Sequence, residues 1–239
     1  MELQILLAFA NLVSTRLVNA RFSTMSSVPA APRRQRLSAD ERKAAIVKAA
    51  VRLFAEKGFR GTTTRELAAA VGVSEPVLYQ HFATKGDLYS AIIESICRDE
   101  DTQRYAGIYT ARDAGDDRAF FTHLGEAILA WYEEQPEIIR LLLYSALEGH
   151  ELKDRFFERQ ITVLYELLND YIGRRIEEGA FRRMDPYLAA RVFTGMFAHQ
   201  GQAKTVFGID DLKGSRAEIA AGIVEIFLRG MQKQGASRK

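Results

Sequence analysis

Cysteine is nearly missing from this sequence: the 239 residues include one, Cys97. A single thiol excludes an intramolecular disulfide and any zinc site built from several thiolates, and it suits a reducing compartment, so the cytoplasm is the expected location. Proline is scarce too, with 5 residues. The apolar run Ile5 to Val13 is far shorter than the roughly 20 residues that span a bilayer. Only Glu2 is charged before it and the first basic residue, Arg16, comes after it, the reverse of a secretory signal. No membrane partner is expected. Catalytic signatures are equally thin. His150-Glu151 lacks the second histidine of a zinc-protease helix, no Gly-x-Ser-x-Gly elbow occurs, and Lys213-Gly214-Ser215 has lysine and glycine in the wrong order for a phosphate loop. Cys97 has no neighbouring histidine or basic pair, which fits a buried structural thiol better than a nucleophile. Neither an enzyme, a metal site nor a cofactor is expected.

What the chain does contain is ordinary globular material, 47% hydrophobic and 27% charged. Its formal charge of +2 conceals a division. Residues 33–98 carry 12 Lys/Arg against 7 Asp/Glu, whereas residues 99–239 carry 19 against 23. A basic segment on an acidic remainder nominates residues 33–98 as a polyanion-binding head.

Hydrophobic periodicity predicts helices throughout and no strand. Residues 1–34 read as a flexible tail, and a start at Met25 would remove an extension with no partner elsewhere in the chain. Residues 35–84 and 85–239 form the expected domains. Ser38 with Glu41 makes a reciprocal capping box, and Gly58 supplies the stop, so a first helix covers about 39 to 57. Thr63 with Glu66 makes a second box before a short helix ending near Gly72. Ser74 is a third N-cap candidate, with Pro76 in the first turn of a helix carrying Val77, Leu78, Tyr79 and Phe82. The pattern Leu88, Ile92, Ile93 and Ile96 predicts a helix running toward Tyr105, followed by a break over Gly107 to Asp116. Further helices are predicted at about 117–134, 137–148, 152–178, 186–204 and 216–233.

Two short helices joined by a tight glycine-containing turn, inside a basic segment, are the elements of a helix-turn-helix. The second helix must enter the major groove by its N-terminus, where Ser74, Glu75, Pro76 and Val77 offer a small, polar, stiff start. Tyr79, His81 and Lys85 lie along or just beyond it, within reach of backbone phosphates. Thr63 and Thr64 can hold phosphate, and Arg65 carries the bidentate fork that suits guanine. For Glu75 two readings stand: acceptor for a cytosine amine, or helix cap. Arg33, Arg34 and Arg36 read as a solvated linker or as an arm along the minor groove.

The run Leu53-Phe54-Ala55-Glu56-Lys57-Gly58-Phe59, then Thr63-Thr64-Arg65-Glu66-Leu67-Ala68, Gly72-Val73-Ser74 and Leu78-Tyr79-Gln80-His81-Phe82 with Lys85, closely resembles the N-terminal domain of TetR-family transcriptional regulators. The resemblance covers about residues 38–97. It implies an all-α dimer: an N-terminal three-helix helix-turn-helix domain binding double-stranded operator DNA, followed by a helical-bundle ligand-binding and dimerisation domain. Carried over position by position, the DNA-facing candidates are Thr63, Thr64, Arg65, Ser74, Glu75, Pro76, Val77, Tyr79, His81 and Lys85.

The body is rich in large apolar and aromatic groups, among them Trp131, Tyr132, Tyr144, Phe156, Phe157, Tyr165 and Phe193. Most must be core, and some could line a pocket for a small apolar effector. Leu188, Val192, Met196 and Phe197 recur at helical spacing in one C-terminal helix and Ile219, Ile223, Ile226 and Phe227 in the next. These eight are the expected homodimer contacts, completing a four-helix bundle with a second copy. The function that follows is a dimeric repressor released from a near-palindromic operator by an effector. Its rivals are a regulator without ligand and a helical-bundle enzyme or adaptor carrying the same head.

Overall fold

The computed structural model describes residues 38–96 and 102–232, and every regular element among the described residues is helical. Cys97, the N-terminal tail and Arg33, Arg34 and Arg36 lie outside them. Helix α1 (Ala39–Lys57) begins at the Ser38/Glu41 capping box and stops at Gly58, whose φ of 72° a side chain would resist. Helices α2 (Thr64–Ala70) and α3 (Glu75–His81) follow, and with α1 they make the head. Helix α4 (Lys85–Ile96) leads out of it.

The body comprises α5 (Thr102–Ala114), α6 (Asp117–Glu134), α7 (Pro136–Leu147), α8 (Glu151–Phe156), α9 (Thr162–Glu177), α10 (Pro186–Thr205) and α11 (Arg216–Met231), with a π-helical turn, Phe157–Ile161, between α8 and α9. The expected break over Gly107 to Asp116 is corrected to a single turn at Gly115 and Asp116. Tyr105, Ile108 and Ala111 are buried at helical spacing and carry α5 straight through Gly107, which packs against the His123 ring. The helix predicted from Leu88 toward Tyr105 is described as far as Ile96, and residues 97–101 of that prediction lie outside the described residues.

Helix α6 is the axis of the body, buried on most of its surface and flanked by α5, α10 and α11. Two glycines let it approach α10. The Phe197 ring of α10 occupies the space above Gly125, and the Tyr132 ring of α6 occupies the space above Gly201. The start of α6 is tied to α9 by Arg175, whose Nε and Nη2 donate to the Asp117 carboxylate at 2.8 and 3.0 Å, while the Tyr171 hydroxyl donates to Asp117 Oδ1 at 2.7 Å. Burial and the hydrogen bond to Asp117 hold the Tyr171 phenol well above the usual tyrosine range. Around this tie Phe120, Phe121, Phe193 and Phe227 pack ring against ring.

Gly125→Ala and Gly201→Ala test the close approach, because the new Cβ would fall 2.3 Å from the Phe197 ring or 2.3 Å from the Tyr132 ring. Each should destabilise the fold by about 1–3 kcal/mol, read as a lower denaturant midpoint with unchanged m-value. An unshifted midpoint would place the rings elsewhere.

Candidate nucleic-acid interface

The head turns on the sequence between α2 and α3. The Val73 amide reaches back to the Ala68 carbonyl at 3.0 Å, and Gly72, at a φ of 69°, reverses the chain. No atom lies within 4 Å of the place a Gly72 Cβ would take, so backbone conformation rather than space calls for glycine there. Leu67, Ala68, Leu78 and Phe82 turn inward to the core that Ile46, Ala50 and Phe54 of α1 supply. Their opposite faces, with Arg65, Pro76 and Tyr79, are open to solvent.

The capping box at Thr63 fixes the start of α2, where Thr63, Thr64 and Arg65 stand. The Thr63 hydroxyl accepts from the Glu66 amide at 3.2 Å, and Glu66 accepts from the Thr63 amide at 2.9 Å. Glu66 also takes a 2.7 Å hydrogen bond from Lys57, so the end of α1 is tied to the start of α2. The Lys57 side chain and the Thr63 amide pull the Glu66 carboxyl down to about 2, which keeps the tie ionised at neutral pH. A buried threonine adds a third hold: the Thr62 hydroxyl donates to the Gly58 carbonyl at 2.8 Å.

Glu75 resolves into a third role. One carboxylate oxygen accepts from the Thr64 hydroxyl at 2.8 Å, and the other stands 3.5 Å from the Arg65 Nε. It therefore bridges α2 to α3 and aims Arg65, whose side chain is 88% exposed. An ion pair so open to water adds little stability, which leaves the guanidinium free to exchange its carboxylate for a base edge. Ser74 takes the N-cap position of α3 with extended backbone, but its side chain makes no capping hydrogen bond. The hydroxyl expected to cap is thus uncommitted and exposed.

The remaining candidates divide by exposure. Pro76, Tyr79 and Lys85 stand out from the surface, whereas Val77 and His81 are half-buried. Lys85 opens α4 behind a cap that the sequence reading missed: the Thr84 hydroxyl accepts from the Asp87 amide at 3.1 Å and Asp87 accepts from the Thr84 amide at 2.9 Å. The Thr-x-x-Asp spacing was there to be read. Two further residues left no local signal. Glu148 and His150 of the body touch the head from about 90 positions away in sequence, at Phe59 and Arg60.

The C-terminal faces split as well. Leu188, Val192 and Ile226 are exposed, at 53, 49 and 69%, and Met196, Ile219 and Ile223 are half-buried beside them. Phe197 and Phe227 require correction. Both point into the protomer, Phe197 onto Gly125 and Phe227 against Phe121 and Phe193, so neither is available to a second copy. Residues three or four apart share a helix face only approximately, and an aromatic at the seam between two faces goes to the side that can enclose it.

Comparison with known proteins agrees with this geometry. Residues 46–92 match the family model described as bacterial regulatory proteins, tetR family, and residues 121–231 match the model described as an AefR-like transcriptional repressor C-terminal domain. The nucleoid occlusion factor SlmA of Vibrio campbellii is 34% identical over 146 residues, covering 59% of this chain and 71% of that protein. The HTH-type transcriptional activator FasR of Mycolicibacterium smegmatis is 42% identical over 62 residues, which is 26% of this chain and 28% of that one. Among solved structures, AibR in complex with isovaleryl coenzyme A and operator DNA superposes with a TM-score of 0.55 at 24% identity, covering 78% of this chain and 97% of that one. A head built as a helix-turn-helix, a wholly helical body and these matches together place the chain in the TetR family of DNA-binding transcriptional regulators, which are not enzymes.

Proposed function

We propose that the protein is a homodimeric repressor that binds a near-palindromic operator and is released from it by a small apolar effector. The observation that carries the DNA reading is Arg65, solvent-exposed and held by Glu75 beside the start of α3. Thr63, Thr64, Ser74, Pro76, Tyr79 and Lys85 surround it as backbone contacts and His81 and Val77 flank them. The half-buried imidazole and isopropyl group sit at the edge of the footprint.

Dimerisation is supported by the face that α10 and α11 leave open. Leu188 and Val192 stand one turn apart on α10 and, like Ile226 of α11, are exposed, and nothing lies within 4 Å of the Cβ positions of Gly195, Gly222 and Gly230. A two-fold copy would cover them. Paired recognition helices then require half-sites about 34–36 Å apart or a multiple of it.

The effector reading is supported by polar atoms inside the body. The Trp131 indole N–H is buried without a hydrogen-bond partner where Trp131 stacks on Phe156 beside the π-helical turn, and the Tyr109 hydroxyl of α5 is likewise buried without one. Such groups cost free energy until something accepts from them, and π-helical turns are frequent at functional sites. A separate cleft lined by Glu133, Lys204, Asp210 and Arg216 encloses about 50 Å³, far below the roughly 300 Å³ of a small-molecule pocket, and its charged walls suit no apolar guest. The effector would open the body around Trp131.

Sequencing the DNA fragments retained by the purified protein tests the central reading, and an enriched inverted repeat is expected. On the enriched duplex, Arg65→Ala should lose about 1–3 kcal/mol and relax specificity at one base pair. Lys85→Ala should weaken specific and non-specific DNA alike and flatten the salt slope by about one unit. Unchanged affinity of Arg65→Ala would displace α2 from the interface. Ile226→Glu should dissociate the dimer in sedimentation at micromolar concentration, and a parent protein that already sediments as a monomer would remove both the interface and the palindrome. An effector should lower operator affinity by about 1–3 kcal/mol, and operator should lower effector affinity by the same factor. Regulation that persists with no such coupling to any small molecule would favour the ligand-independent reading.

A further inference from the structure

Between the last turn of α7 and the first of α8 lies a three-residue corner, Glu148-Gly149-His150, and it grips the head. Glu148 Oε2 accepts from the Phe59 amide at 3.1 Å and from the Arg60 amide at 3.2 Å. The other oxygen, Oε1, stands 2.2 Å from the place a Gly58 Cβ would occupy. Gly58 is therefore needed for room as well as for its positive φ. The His150 ring stacks on Phe59 with centroids 4.0 Å apart and an interplanar angle of 8°, and it meets the face or edge of Tyr89 at 4.3 Å and 82°. Phe59 in turn stacks on Phe54 of α1 at 4.5 Å. One imidazole thus touches the loop that leads to α2 and the helix that leads out of the head.

The corner is itself rigid. The His150 amide donates to the Ser145 carbonyl at 2.7 Å, the fully buried Ser145 hydroxyl donates to the His150 carbonyl at 3.0 Å, and that hydroxyl accepts from the Lys153 amide at 2.9 Å. His150 Nδ1 accepts from the Leu152 amide at 3.1 Å and so caps α8. That last bond requires a lone pair on Nδ1. An imidazolium has a proton on both nitrogens and has none to offer.

We propose that Glu148 and His150 are positioning residues that hold the DNA-binding head at a fixed angle to the body only while the His150 imidazole is neutral, so that DNA binding weakens on acidification. The inference rests on the regulator reading for its DNA readout alone. A proton on His150 removes the cap of α8 and places a charge between the Phe59 and Tyr89 rings. The charged groups around it are Glu148 of the corner, Glu151 and Arg155 of α8, and Lys85 of α4, two of each sign. Burial depresses the affinity of His150 for a proton below the ordinary histidine value of 6.5, with Lys85 and Arg155 acting in the same direction and Glu151 and Glu148 against it. A group held neutral in this way contributes its full share above the ordinary value of 6.5, and the contribution falls as the pH drops below it. The same surroundings, burial first and then Glu151 and Glu148, push the Tyr89 phenol up to about 12, so it stays neutral throughout.

The test uses the full chain and the duplex it enriches from a random library. Between pH 7.5 and 5.5 the dissociation constant of the parent protein should rise about three- to tenfold, with a slope of at most tenfold per pH unit for one proton. His150→Phe keeps a ring on Phe59 and cannot titrate, so its profile should lose the acid limb. Should His150→Phe fail to fold, His150→Asn keeps an oxygen acceptor for the Leu152 amide and serves the same purpose. A DNA-independent arm follows amide exchange at Phe59 and Arg60, corrected for the intrinsic pH dependence. Protection should fall in the parent as the pH drops to 5.5, and in Glu148→Gln it should already be reduced at pH 7.5. A flat parent profile, an acid limb that survives in the titration-free variant, or protection at Phe59 and Arg60 that ignores pH would each overturn the proposal. Failure to enrich any duplex would sink the regulator reading and leave the exchange arm to decide this one.

Discussion

A head made of α1, α2 and α3, two of them only seven residues long, has too little apolar surface to fix the direction of its recognition helix unaided, so it completes its core from the body. Helix α1 lies against α7 along much of its length, and Phe59, at its end, is enclosed by Tyr89 of α4 and His150. The hydrophobic core is continuous from Ile46 in the head to Met231 at the end of α11. Head and body therefore differ in surface charge and in task, yet share one packed interior. In such an arrangement a displacement of α7 or α4 is felt at α1 at once, because a close-packed contact shifts between discrete arrangements and does not stretch.

The interface with DNA and the joint with the body rest on opposite economies. On the face of α2 and α3 proposed to meet DNA, Glu75 stands 3.5 Å from Arg65 in the open, where a carboxylate is easily exchanged. Within the corner that forms the joint the polar contacts are local and interlocked, with Ser145, itself fully buried, satisfied on both sides. A surface that must release its partner is built from interactions of low individual worth, and a joint that must transmit orientation is built from ones that are costly to leave unmade.

Much of this was legible in the sequence because it is local. Capping boxes at Ser38 and Thr63 and the glycines at 58 and 72 fix helix ends within a few residues, and α6 and α11 begin where their periodicity says. The helix-turn-helix followed from three such signals in one basic segment. Reasoning failed where tertiary packing outweighs local preference. Gly107 and its polar neighbours suggested a break, but the buried face of Tyr105, Ile108 and Ala111 holds the helix together. Phe197 and Phe227 shared an approximate face with Leu188, Val192 and Ile226, and only the presence of Gly125 opposite, or of Phe121 and Phe193, decides that they turn inward. For Glu75 the local reading left out a bridge to Thr64 and Arg65, because these partners lie eleven and ten residues back on another helix. The Glu148 clamp, 89 residues from Phe59, leaves no trace in any local pattern.

That separation carries a consequence for synthesis. The chain leaves the ribosome N-terminus first, so α1 to α3 are complete well before Glu148 and His150 exist. Until then Phe59 lacks the ring that stacks on it, and the Phe59 and Arg60 amides lack the carboxylate that fixes them. A nascent head thus has its basic residues but no set angle for its reading helix.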